Sequence, residues 1–447
     1  MIEQKINDVE IDKSMFSLVD RSEESFHDTS IAGKPVGFFK DGLKRFKKNK
    51  ASVVAFWIIA VIILFTLIGP VMRNHEPTNE TRGVVRQGTF EFLTPRIPVL
   101  EHLGIFNGTR VIVSRNYEFI SSLPEGIVIE ILNKEVIQGV TLVDARVNYY
   151  RFRHYVTSHR SGIDAQGNPI IPTFNITRDQ LQLALERDAV LEIVEINAAG
   201  SYVVRLDTFQ FFFGTGPDDV YFWFGTGSIG EDLFTQLWSS SRISLLLAVI
   251  VSVVNISIGV IVGSTVGYFG GKLDIIFERV VEILSNIPFI VMLTLLLLAF
   301  GSNWGVIIIA FTATGWIGAY NLSRVQAYRF RAREFILAAR TYGASSRRII
   351  LKHILPNGMG TLVTSFALAI PAFVFQESTM TFLGIIQYPE GIRGIGRMLS
   401  DGQNVMQMHP HLLIFPSILL ALLMISFNMF SNGLRDGFNP SLRGVEE

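Results

Sequence analysis

The chain has 0 cysteines in 447 residues, which excludes disulfides, thiolate metal sites and cysteine nucleophiles. Charge is scarce: Asp, Glu, Lys and Arg make up 17% of the residues, and the formal net charge is +0. That balance excludes nothing about nucleic acid, because such binding follows the local distribution of charge. No apolar run precedes residue 51, so no cleavable leader is expected and the first apolar run reads as an uncleaved anchor. A phosphate-binding loop is also lacking. The nearest run, TVGYFGGKLD, puts Val266 at the first glycine position and Leu273 at the final Ser/Thr position, and reads as a tight turn. What abounds is apolar: 49% of residues are hydrophobic, the composition of a membrane protein with a sizeable polar portion.

Six apolar segments are long enough to cross a bilayer, which takes about 20 helical residues. They are expected at 51–72, 243–268, 280–300, 306–322, 360–386 and 412–430. The basic residues Lys44, Arg45, Lys47, Lys48 and Lys50 precede the first segment, which puts the N-terminus in the cytoplasm. Six crossings return the C-terminal tail (433–447) to that side. Arg324, Arg329, Arg331, Arg333, Arg340, Arg347 and Arg348 then fall in one cytoplasmic loop, 324–357, the strongest positive-inside signal of the chain. Residues 1–50 are expected to be a cytosolic tail ending in an amphipathic stretch, PVGFFKDGLKRFKKNK. Phe38, Phe39, Leu43 and Phe46 would share a face lying on lipid, or the stretch is an ordinary basic flank.

Residues 73–238 are polar and of domain size, and fall outside the membrane between the first two spans. Alternation predicts strands in TRVIVSRNYEFI from Thr109, GIVIEIL from Gly126, VTLVDARVNYYRF from Val140 and SYVVRLDTFQFFF from Ser201. A helix is expected from Thr177, which with Gln180 fits a capping box; Leu181, Leu183, Leu185 and Val190 would supply its apolar face. The expectation is an extracytoplasmic α+β domain. Its aromatic end (Phe209, Phe211, Phe212, Phe213, Tyr221, Phe222, Trp223, Phe224) reads as an interfacial belt, with a docking platform as the alternative.

The stretch EFILAARTYGASSRRIILKHILPNGMG, from Glu334, reads as two short helices around Gly343. Glycine at a helix end adopts the left-handed conformation without a Cβ clash. Ser345 can N-cap the second helix, and Pro356 is expected to end it. A helix–glycine–helix also suits DNA, but this one is pinned between membrane segments, so no nucleic-acid partner is expected.

These residues resemble the permease subunits of bacterial ABC importers, whose cytoplasmic signature is an EAA segment, a later glycine and an I-x-L-P-like ending. Ala338, Ala339, Gly343, Ile354, Leu355 and Pro356 match it, and Leu337 stands where the family carries glutamate. FGTGSIGEDLFTQLWSSSRISLLLA from Phe224, GYFGG from Gly267, TFLG from Thr381 and NGLRDGFNP from Asn432 are similar to the C-type permease of the oligopeptide/dipeptide/nickel branch. The resemblance implies a helical membrane protein of six transmembrane helices, of the type I importer kind, with an outer domain inserted between helices 1 and 2. It implies that Glu334, Leu337, Ala338, Ala339, Arg340, Gly343, Ala344, Ile354, Leu355 and Pro356 couple to an ATPase. It further implies a sister permease, two ATP-binding subunits holding ATP and Mg, an extracytoplasmic substrate-binding protein, an inner-membrane location, and no catalytic residue or cofactor in this chain. Peptides are the expected cargo, with nickel behind.

Glu377, beside Gln376 and after Pro371, is an ionisable group inside a span, a functional candidate by its cost alone. It would line the path or bond the sister permease, or be satisfied by an interhelical hydrogen bond. His409 and His411 form an H-P-H pair without an obvious third ligand, so no metal site is expected there. A membrane-anchored sensor whose outer domain binds ligand, and an ion-coupled transporter, are the competing classes. The first leaves five further spans unexplained; the second wants repeated halves or more buried charge.

Overall fold

The computed structural model describes residues 38–72, 81, 89–160, 162–163, 169–197, 200–389 and 391–438. Of the expected tails at 1–50 and 433–447, residues 1–37 and 439–447 lie outside these residues.

Helix α1 (Phe38–Lys48) precedes α2 (Lys50–Ile68), whose N-cap Asn49 accepts a hydrogen bond from the Ser52 amide at 3.3 Å. The lipid-facing reading of α1 needs an amendment. Phe46 is buried and meets Phe430 edge-on, with ring centroids 5.4 Å apart. Gly437 closes on Gly42 so tightly that a Cβ there would stand 2.6 Å from the Gly42 carbonyl oxygen. One side of α1 thus seats on protein, while Leu43 stays exposed.

The insertion holds two three-stranded antiparallel sheets. The first is built from β1 (Thr109–Asn116), α3 (Tyr117–Ser121), β2 (Val128–Ile137), β3 (Val140–Asn148) and α4 (Tyr149–Ser158), in strand order β1-β3-β2. A short pair, β4 (Gly162–Ile163) with β5 (Pro169–Ile170), follows. The second comprises β6 (Phe174–Ile176), α5 (Arg178–Glu186), β7 (Val190–Ile196), β8 (Tyr202–Leu206) and α6 (Thr208–Phe213), in order β6-β8-β7. The capping box of Thr177 and Gln180 is present.

Three expectations fail here for local reasons. The predicted strands from Thr109, Val140 and Ser201 each turn into helix partway, because Asn116, Asn148 and Asp207 accept bonds from the amides of Glu118, Arg151 and Gln210 and cap new helices. Helix α5 buries Leu181 and Ala184 while Leu185 is exposed, and Val190 belongs to β7. The aromatic run is no interfacial belt: Phe209, Phe211 and Phe222 are fully buried, and the ring of Phe90 packs against those of Phe209, Phe212 and Phe213. Large rings placed between two small sheets supply apolar burial that the thin strands cannot.

The remaining chain is helical: α7 (Leu233–Phe269), α8 (Gly271–Ser285), α9 (Phe289–Phe300), α10 (Trp304–Gly315), α11 (Ile317–Arg331), α12 (Glu334–Thr341), α13 (Ser346–Ile349), α14 (Leu355–Phe382), α15 (Ile395–Asn404) and α16 (His411–Phe438). Helix α7 starts inside the stretch assigned to the outer domain, and α16 runs past the expected boundary at 432. Five helical stretches are long and apolar enough to cross a membrane, and the pair α8 and α9 makes a sixth if counted as one span. The single straight helix expected at 280–300 is broken, with the pair bent by 79°. Pro288 lies in the break and lacks the amide that would continue the ladder. The pair nonetheless joins the two ends of the bundle. Gly270 packs against Arg331 at one end, and Trp304 packs against Tyr388 near the insertion at the other.

Helices α7 and α11 cross at glycine contact. A Cβ at Gly259, Gly263 or Gly267 would stand 2.3–2.5 Å from backbone oxygens of Trp316, Tyr320 and Arg324. Small residues at a spacing of four allow such an approach where lipid gives no hydrophobic drive.

Candidate functional site

The loop after α11 is a rigid bracket. Helix α12 ends in a paired C-terminal motif: the amide of Gly343 donates to the Arg340 carbonyl at 2.9 Å, and that of Ala344 to the Ala339 carbonyl at 3.0 Å. Gly343 has φ +79°, the left-handed value this motif requires. Ser345 then caps α13, accepting from the Arg348 amide at 3.4 Å. Ile336, Ile349, Ile350 and Ile354 point inward against Tyr268 and Ala327, so the bracket has its own small core. Arg340 stacks over the Tyr268 ring and donates to its hydroxyl at 3.2 Å, tying α12 to the end of α7. Its outer face carries Glu334, Leu337, Ala338 and Pro356, all exposed, together with Phe335 and Leu351.

Pro356 does not end the second helix. The chain continues through a π turn, Ile350–Ile354, into α14, and the Leu355 amide bonds the Ile350 carbonyl five residues back. A widened turn just before a proline re-routes the ladder that the missing amide would interrupt. Nothing in the sequence marks Tyr342. It is 92% exposed, at the C-cap of α12.

A cavity of about 470 Å³ opens between α7, α10, α11 and α14, midway along α7 and α14. Its wall is apolar or small except for Ser252, Asn255, Ser365 and Gln376. The Asn255 side-chain oxygen is buried and has no hydrogen-bond partner among the described residues. Gln376 faces this space. Glu377, one residue on, is fully buried and bonded within the chain. Its carboxylate accepts from Tyr388 at 2.7 Å, Thr381 at 3.0 Å and Ser378 at 3.4 Å, and Gly394 closes over it. The structure therefore separates the two neighbours: Gln376 lines the cavity, and Glu377 joins α14 to the segment leading into α15.

The insertion is fastened to the opposite end of the bundle. Phe92 stacks on His409 at 4.0 Å, and an Arg110 guanidinium nitrogen lies 3.3 Å from His409 Nε2. Burial first, then the charge of Arg110 and the neighbouring His411, lowers the His409 pKa to about 3, so the ring is neutral at pH 7. Thr226 donates to the Phe90 carbonyl and accepts from the Leu93 amide. Glu231 pairs with Arg393 at 2.9 Å. Among the described residues, no group of three or more His, Asp or Glu is arranged to hold a metal ion.

The family model described as "Binding-protein-dependent transport system inner membrane component" matches residues 255–444, and that for the "N-terminal TM domain of oligopeptide transport permease C" matches residues 37–88. The dipeptide transport system permease protein DppC of Bacillus subtilis is 39% identical over 229 residues, covering 51% of this chain and 71% of that protein. The oligopeptide transport system permease protein OppC of the same organism is 37% identical over 221 residues, 49% of this chain and 72% of its own. The DppC of Lactococcus lactis is 27% identical over 410 residues, 92% of each chain, and so spans the insertion as well. A solved chain from the MetNI methionine ABC transporter in inward-facing conformations overlaps with a TM-score of 0.36 at 18% identity, over 45% of this chain and 95% of that one.

Proposed function

Since the chain belongs to the family of binding-protein-dependent transport system inner membrane components, we propose that it is the permease subunit of an ATP-driven peptide importer. The observation that carries this reading is the bracket around Gly343. It is stiffened by a capped turn and its own core, and it bares Phe335, Leu337, Tyr342 and Leu351 on a basic rim. An exposed apolar tip on a rigid stem is a surface for a protein partner, with the aromatic residue as anchor. The partner that fits is a cytosolic ATPase. Two such subunits hold ATP and Mg, and this chain performs no hydrolysis. With the arginine-rich bracket in the cytoplasm, both termini lie there and the insertion lies outside.

A push on the bracket is transmitted directly. Ile354 and the π turn lead into α14, which lines the cavity, and Arg340 holds α7, which lines its opposite wall. Closing ATPases would tilt these helices and move the cavity between the two faces together with a sister permease. Relatives are named for dipeptides and oligopeptides, and a peptide is the cargo proposed here. The carboxamides of Asn255 and Gln376 offer both donor and acceptor to a peptide bond, whatever the side chains. An external binding protein would deliver it.

The test is uptake of a labelled dipeptide and of a labelled oligopeptide by the purified complex in proteoliposomes. ATP-dependent accumulation of either supports the reading. Ligand binding by the insertion with no transport would favour a sensor instead.

A further inference from the structure

The insertion contains the same unit twice. Strand, helix, hairpin and helix follow in the order β1-α3-β2-β3-α4 and again in β6-α5-β7-β8-α6, and both sheets put the first strand beside the third. Topology alone would allow that by coincidence. The details do not follow from topology.

In the first hairpin Val128 pairs with Val147, Glu130 with Arg146, Ile131 with Ala145 and Asn133 with Asp144; the register slips between Val128 and Glu130 and between Ile131 and Asn133. In the second, Val190 pairs with Leu206, Glu192 with Arg205, Ile193 with Val204 and Glu195 with Val203, and the register slips between Val190 and Glu192 and between Ile193 and Glu195. Each hairpin carries one Glu–Arg ion pair at the matching place, Glu130 with Arg146 and Glu192 with Arg205. Each enters its first strand through a left-handed residue, Gly126 or Asp188. Each leaves through an N-cap, Asn148 or Asp207, whose own amide bonds the carbonyl of Ile127 at 2.9 Å or of Ala189 at 2.8 Å. Tyr149, Tyr150 and Phe152 are buried in one copy, and Thr208, Phe209 and Phe211 in the other. The sequence retains VIEI at 128–131 against VLEI at 190–193, and RVN at 146–148 against RLD at 205–207.

Two copies of one unit permit a comparison within the chain. Their buried residues have diverged, but three exposed apolar positions on the outermost strand have not changed in character. Ile129, Ile131 and Leu132 match Leu191, Ile193 and Val194, all between 43% and 54% exposed. Both strands are sheet edges, and among the described residues no strand pairs with their outer sides. Of the devices that blunt exposed edges, proline is absent and the single lysine is Lys134, while the register slips and glutamates of each strand interrupt the edge only in part. Between its slips each edge still offers unused amides and carbonyls beside apolar side chains, whose complement is an extended polypeptide. Peptide is also the cargo proposed above, and the edges lie on the side where it arrives.

We propose that the insertion is a tandem duplication whose two edges, β2 and β7, each take up an extended peptide as an added strand. This rests on the peptide-importer reading for its choice of ligand. The experiment places a photo-crosslinking residue at Ile131 or at Ile193 in the full chain, within vesicles containing the assembled complex. The probe is a fluorescent apolar hexapeptide, compared with its analogue N-methylated at alternate residues. The expected result is labelling at both positions, reduced about tenfold for the methylated analogue, because strand addition runs through main-chain hydrogen bonds. Equal labelling by both probes, labelling at one position only, no labelling, or an adduct with another subunit in place of the probe would each overturn it. ATP-driven uptake of the same hexapeptide is measured in parallel. Uptake without labelling overturns strand addition and leaves the importer standing; labelling without uptake does the reverse.

Discussion

Replacing Gly343 separates backbone conformation from side-chain bulk. Its φ of +79° lies in the left-handed region, and a Cβ added there would meet nothing within 4 Å. A clash therefore plays no part, and the cost of a side chain is conformational, about 1–2 kcal/mol for an ordinary L-residue. That strain falls on the two bonds that end α12, from Gly343 to Arg340 and from Ala344 to Ala339, and it is relieved by letting the turn open. Asparagine tolerates the left-handed region better than alanine or valine. The account predicts ATP-driven uptake in the order Gly, Asn, Ala, Val, with Ala lower by about five- to thirtyfold, since 1.4 kcal/mol corresponds to a factor of ten in an equilibrium. Uptake is measured in proteoliposomes at matched amounts of assembled complex. A mechanism based on bulk places Ala above Asn. That order, or full activity in Gly343→Val, would refute the reasoning.

Further outcomes follow from the same structure. Tyr342→Ala should weaken association with the ATPase about tenfold, by the loss of an exposed aromatic anchor, with the isolated subunit unfolding as before; titration of detergent-solubilised subunits reads it. Glu377→Leu should lower stability by about 1–3 kcal/mol, because the Tyr388 hydroxyl loses its buried acceptor while that of Thr381 keeps the Glu377 carbonyl, whereas Glu377→Gln keeps an acceptor for Tyr388 and costs less; thermal unfolding of the solubilised chain distinguishes them. Acid should loosen the insertion from the bundle. His409 titrates near 3 in the fold against about 6.5 unfolded, so its contribution is complete above that higher value and is lost as pH falls, by at most about 1.4 kcal/mol per pH unit. His409→Phe should flatten this dependence in unfolding curves between pH 7 and pH 4, by removing the titrating ring.

The membrane segments and the bracket were legible because their signals are local and strong: long apolar runs, a cluster of arginines, and a glycine where a helix must stop. The break at Pro288 was overridden by the apolar run on both sides of it. At Pro356 the reasoning about proline was sound for a regular α-helix, but the chain inserts a π turn and goes on. In the insertion, alternation identifies β1, β2, β3 and β8 but not β7, whose Val190 reads as the end of the helix face, and it overruns the ends of β1, β3 and β8, since Asn116, Asn148 and Asp207 act as caps only when the following residues leave the sheet. The aromatic run reads as an interfacial belt because composition is silent on whether rings face lipid or a domain core. Gln376 and Glu377 are adjacent in sequence, and only the turn of α14 decides that one faces the cavity and the other a cage of hydroxyls. The duplication is not legible in the sequence because its copies share two short matches, while the equivalence lies in register, caps and ion pairs.

The central claim is that this chain is one wall of a transport path driven by partner ATPases. Its most direct test is gentle detergent purification from native membranes, with associated chains identified and counted by mass spectrometry. The account predicts one sister permease and two ATPase chains for each copy of this chain. Recovery of the chain alone, or with a signalling protein, under conditions that keep other membrane complexes intact would contradict it.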